Sequence, residues 1–210
     1  MSGIIAQNTL DGSGLIKSPA GGGAWNFIKK LSGSGATTMS FVNGSSDVVL
    51  DSTYKTYVFT LNNMHGSSNG DGFTVNFSTD TGSNYNATKS TSLFLARHDE
   101  DDSPATVAYD SRGQDLAEAT TKQNLAENTG NDNDQSLSGV LWLFDPSNTT
   151  FLKHFWCKVH HSHKDNIAEN IFISGYCNTT SAVDAVRFEY GNTSTTNIDE
   201  GDICLYGIST

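Results

Sequence analysis

The stretch WCKVHHSHKDN, residues 156–166, crowds Cys157, His160, His161 and His163 into one short run. Thiolates and imidazoles are the donors that Zn²⁺ takes, in a tetrahedral shell of about four ligands. On an extended strand, side chains two apart share a face. That rule groups His161 and His163, with Cys157 and Val159 behind them, and sends His154, Trp156, Lys158 and His160 to the other side. One chain therefore offers too few ligands. Two readings stay open: a trimer axis that collects the His161 and His163 pairs of its subunits around a transition metal, or the polar end of a β-hairpin turned by Lys164, Asp165 and Asn166. A turn centred near Lys164 and Asp165 sets Cys157 opposite about Phe172 and Cys177 opposite about Leu152, so no disulfide between them is expected.

Two acidic runs, DEDD at 99–102 and NDND at 131–134, offer the oxygen donors that Ca²⁺ prefers. Asp132 and Asp134 are the candidate calcium ligands, although neither run has the spacing of an EF-hand and solvated loop charge is the alternative. Glycoside hydrolysis would need two carboxylates about 5–10 Å apart in a cleft. Here the acids sit mostly in turns, and neither Glu169 nor Glu189 stands out. A nucleophile elbow and a phosphate loop are both missing from the sequence. The expectation is a protein that is not an enzyme and needs no cofactor. Among the aromatic residues, Trp25 and Trp142 lie in alternating runs and are expected in the core. Tyr85 and Tyr109 lie in or beside loops and are the candidates for stacking on a glycan.

These residues must be positioned by strands. Only 36% of the 210 residues are hydrophobic, and Gly, Ser, Thr, Asn and Asp fill the intervals, which favours short strands and many turns. YKTYVFTL alternates with Tyr57, Phe59 and Leu61 on one face, and FTVNFSTD with Phe73, Val75 and Phe77, as a sheet with one solvated face would. The composition and pattern predict an all-β protein: an antiparallel, jelly-roll-like β-sandwich of about ten strands. Residues 1–22 read as an extended N-terminal arm and 23–210 as a single domain. A mostly loop insertion over about 97–136 breaks the strand pattern, with room for a short helix across Gln114–Glu127.

The net charge of −11 and the scatter of the 12 Lys and Arg residues argue against nucleic acid and anionic membranes as partners. No run approaches the roughly 20 apolar residues that span a bilayer, and the first residues do not read as a secretory signal, so synthesis in a cytoplasm is expected. Cys157, Cys177 and Cys204 lie in apolar runs and read as small buried hydrophobes. The Asn-x-Ser/Thr sequons that begin at Asn43, Asn76, Asn86, Asn148, Asn178 and Asn192 reflect the Asn and Thr content alone.

Several segments taken in order carry a resemblance: FVNGSSDVVLDSTYKTYVFTLNNMH, FTVNFSTDTGSNYN, SGVLWLFDPSNTTFLKHF, SGYCNTTSAVDAVRFEYG and IDEGDICLYGI. Together, from Ala24 to Ile208, they resemble virion structural proteins of tailed bacteriophages, many from aquatic hosts. The resemblance implies a non-enzymatic β-sandwich in the virion, made in the host cytoplasm and displayed on the particle surface as a capsid decoration or head-fibre protein. It implies docking on other virion proteins, such as a major capsid protein or fibre and tail subunits, and assembly as a homotrimer. The alternative it leaves is a tail-fibre module that recognises host surface glycans. It brings no catalytic residues with it.

Overall fold

The computed structural model describes residues 24–103, 105–109, 113–191 and 196–209. The expected arm, 1–22, lies outside them. The strands are β1 (Trp25–Ser32), β2 (Met39–Val42), β3 (Thr56–Gly66), β4 (Asp71–Ser78), β5 (Lys89–Asp99) and β6 (Ala105–Tyr109). They continue with β7 (Gln123–Thr129), β8 (Leu137–Phe144), β9 (Lys153–His163), β10 (Ile167–Cys177), β11 (Ala185–Tyr190) and β12 (Ile198–Ile208). All named pairings are antiparallel. The protein is all-β, as expected.

The strands form two layers. They are hydrogen-bonded as one twelve-stranded sheet folded on itself: a large sheet runs β1-β12-β3-β8-β9-β10-β5-β6, and a small sheet, continuing from β9, runs β7-β4-β11-β2. The layers join where Thr129 of β7 bridges His163 of β9. Between them the inner-face aromatics meet: Phe41 of β2 lies 5.2 Å from Phe59 of β3, Phe188 of β11 lies 5.5 Å from Phe59, and Phe77 of β4 lies 4.9 Å from Phe155 of β9. All five rings are buried. Strict alternation in KHFWCKVHHSH explains β9, whose odd-numbered residues are buried and whose even-numbered ones are outside.

Around the small sheet the sequence expectation fails in three places. The Gln114–Glu127 helix is absent, and the described residues contain no helix at all. Instead Gln123–Thr129 pairs with β4 as β7 and buries Leu125 and Ala126, because Leu116, Ala119 and Leu125 are too sparse to make an apolar helical stripe. The 97–136 insertion is thus partly sheet, containing β6 and β7. The second face of β4 is not solvated either. Thr74, Asn76 and Ser78 are buried beneath loops, and Asn76 Nδ2 donates to the carbonyls of Tyr85 (2.5 Å) and Thr120 (3.3 Å).

Local irregularities have identifiable causes. The register shift in β1 between Phe27 and Lys29 turns Lys30, rather than Lys29, outward. In β8, a Cβ on Gly139 would come within 2.4 Å of the Lys158 carbonyl oxygen, so close strand approach requires glycine there. Phe188 contacts Phe41, Phe59 and Phe73 at centroid distances of 6.4, 5.5 and 6.1 Å. Phe188→Ala is expected to cost about 3–5 kcal/mol through the cavity left between the sheets, measured as a lower urea midpoint with little change in slope.

Candidate functional site

The β9–β10 hairpin carries the histidine run, and its turn falls at Lys164–Asn166 with Asn166 at φ 59°. Asn tolerates that left-handed backbone better than most residues. Register sets His161 against Glu169 and Glu169 against Arg97 on the inner face. His161 Nε2 lies 3.4 Å from Glu169 Oε1, with both side chains fully buried. His163, 5% exposed, faces inward at the same end, with its ring 6.1 Å from that of His161. Its Nδ1 accepts the Asp165 amide at 3.1 Å.

This placement sets what the histidines offer a metal. The His161 imidazole is fully buried within the chain and paired with the Glu169 carboxylate. Cys157 shares the inner face, but no group of three or more His, Cys, Asp or Glu among the described residues converges as a metal shell would. Burial also pushes the Cys157 thiol well up, so it stays protonated. The Cys177 thiol, between Lys89 and Lys153 in register, is pushed up to about 12 by burial. Cys157 pairs with Ile173 and Cys177 with Lys153, each one residue from the expected register, and all three cysteines are free. Lys89 is buried, which pushes its ammonium down to about 8, and it donates to Asn76 Oδ1 and the Ala87 carbonyl, both at 2.7 Å.

The remaining candidates scatter. Asp132 uses its backbone: its carbonyl accepts the Gln135 amide at 2.8 Å and lies 3.3 Å from His65 Nε2. Asp134 lines a small polar pocket with Asn63, His65 and Glu200. Tyr85 lies beneath the Arg187 guanidinium, 4.2 Å from ring to charge centre, beside a polar cleft over the small sheet. Tyr109 stands on β6 opposite Phe94 and donates its phenol proton to Asp115 at 2.7 Å. The two tyrosines do not share a site.

The most unusual surface is the outer face of the large sheet. Trp25, expected in the core, is 45% exposed there. It meets Trp142 edge-on at 5.6 Å and Tyr206 at 5.5 Å, and Phe27 meets Tyr206 at 5.7 Å. Trp142 in turn stacks on Trp156 at 5.5 Å, and Phe172 stacks on Phe94 at 4.8 Å under the Lys158 ammonium. The register carries one row across the sheet through Phe27, Tyr206, Val58, Trp142 and Trp156 to Ser174 and Ser92. The signal for this face was present in the alternation of β9, which already set Trp156 opposite the buried Cys157. What was hidden was that neighbouring strands bring further aromatics beside it.

The chain matches no protein-family model, no curated protein and no solved structure. Among the described residues, no helix is long and apolar enough to cross a membrane.

One pH dependence follows from His163. Desolvation holds its folded-state pKa below the ordinary 6.5, outweighing the opposing pull of Glu169. The unfolded chain then takes up the proton first, so the stability is fully present above pH 6.5 and is lost as pH falls below it. The urea midpoint is expected to be lower at pH 5.5 than at pH 7.5, with a smaller fall in His163→Gln. An equal fall in both proteins would remove His163 as a source.

Proposed function

We propose that this chain is a non-enzymatic structural protein of the bacteriophage particle surface, a capsid decoration or head-fibre protein. It docks on other virion subunits through the outer face of the large sheet and self-associates, as a homotrimer. One observation carries the reading: Trp25, Phe27, Phe94, Tyr109 and Trp156, exposed by 36–60%, all belong to that face. Contiguous exposed apolar surface marks interaction sites, and aromatic residues dominate the energetically important centres of protein interfaces. The ordered likeness of the sequence to phage virion proteins supplies the kind of partner. The net charge of −11 suits a partner reached through apolar contact rather than a phosphate backbone.

Native mass spectrometry and light scattering are expected to find a trimer, and purified capsids or other virion components are expected to retain the protein on co-sedimentation. Trp25 and Phe27 lie on an edge strand and are largely exposed, so Trp25→Ser with Phe27→Ser should leave the fold intact while weakening this association about tenfold or more. A monomer that binds no virion component overturns the reading.

A further inference from the structure

The outer face of the large sheet contains a depression of about 470 Å³ on β5, β9 and β10, next to the end of β8. It arises from residue size. On β10 the outward residues are Phe172, Ser174 and Tyr176, so a serine lies between two aromatic rings. Across from Ser174 are Ser92 on β5 and Trp156 on β9. Phe172 and Tyr176, four residues apart on one strand, are separated by about 13 Å, which leaves room for a short oligosaccharide.

The walls and floor differ in chemistry. Trp142 occupies one face of the Trp156 indole, in a near-parallel stack with planes 14° apart. On the β10 side Ser174 stands across from Trp156 in register, and the indole stays 36% exposed. The stack fixes the indole before any ligand arrives, which lowers the ordering cost of binding. His154 and Tyr176, with ring centroids 5.9 Å apart, close one end. The Ser92 and Ser174 hydroxyls and the Tyr176 phenol make no hydrogen bond to the described residues, and each can donate and accept. Among the described residues that line the depression, none is Lys, Arg, Asp or Glu. In a chain of net charge −11 this lining is uncharged, and the Glu118 carboxylate is engaged at its border by the Ser90 hydroxyl at 2.9 Å.

From this arrangement we infer that the depression is a binding site for a neutral oligosaccharide, with one pyranose ring stacked on Trp156 and its hydroxyls bonded by Ser92, Ser174 and Tyr176. A pyranose presents an apolar C–H face and a rim of hydroxyl donors and acceptors. The site offers the complement of both, a rigid aromatic plane beside unpartnered hydroxyls, the common makeup of small-ligand sites. The site shares Trp156 with the docking face, so a sugar and a virion subunit would compete there, and the two readings are told apart by measuring sugar binding and capsid docking separately.

The test uses the full chain in its native assembly. Neutral oligosaccharides of glucose, galactose, mannose and N-acetylglucosamine units are titrated while heat and tryptophan fluorescence are followed. At least one is expected to bind saturably and to shift the fluorescence. Trp156→Ala should weaken it at least tenfold, Ser174→Leu should abolish it by filling the floor, and Val107→Ser, on the same face but outside the depression, should leave it unchanged. Circular dichroism checks that each variant is folded, and Ser174→Thr, which keeps the hydroxyl, should retain binding if Ser174→Leu unfolds the chain. The inference is overturned by the absence of saturable binding at about 10 mM of every neutral sugar. It is equally overturned by binding that survives in both Trp156→Ala and Ser174→Leu, or by an assembly in which neighbouring subunits cover Trp156 and no sugar binds. A trimer that binds capsids but no sugar leaves the particle reading standing and removes only this one.

Discussion

Contact between the two inner faces is the constraint on which everything else depends. Neither sheet can hide its apolar side alone, and the rings of Phe41, Phe59, Phe73 and Phe188 interlock across the gap. Edge-to-face and offset pairs of this kind add to the burial of each ring. Because pleated side chains alternate, a strand committed to this core on one side has its opposite side fixed as well. Phe155 and Cys157 turned inward necessarily turn Trp156 outward.

Polar groups are buried at both ends of that core, and each has a local solution. Lys153 donates to the Phe151 and Thr179 carbonyls at 2.6 and 3.1 Å, and Lys89 has partners on Asn76 and Ala87. His161 and Glu169 face each other at the opposite end of β9 and β10. Buried ionisable groups are costly unless paired or hydrogen-bonded. Such groups rank among catalytic candidates by chemistry alone, yet here they line the seams of a packed sandwich. The thiol between the two lysines is held protonated by the same burial.

The two outer faces are used differently. The small sheet's is covered by loops that bond Asn76 and Ser78, while Thr74 donates to the Glu189 carbonyl of β11 at 3.0 Å, so its polar residues are internal. The large sheet's is open and aromatic, and Val58 there is fully buried although its side chain points outward, in register between Tyr206 and Trp142. Side chains alone have built a second, shallow apolar layer. A surface of that kind stacks on flat apolar ligands and on other proteins, and the serines set among its rings make part of it polar.

The sequence by itself determined the strand class and most of the facing. Alternation in YKTYVFTL, FTVNFSTD and KHFWCKVHHSH put Tyr57 with Phe59, Phe73 with Phe77, and Cys157 with Val159 on common faces, and the turn residues Lys164–Asn166 fixed the hairpin to within one residue, because both signals are local. Local signals also misled at Gln123–Thr129, where a polar segment becomes a strand only because β4 supplies the partner edge. Only the tertiary structure decided which faces are covered. Trp25 looked like a core residue and Thr74 like a solvated one, and both assignments reversed once the order of strands was known. Alternation gives two sides to every strand, but it does not say what lies over either. For the histidine run the outcome is the same: period two separated His161 and His163 from His160, and the packing of the sheets put them inside, beside Glu169.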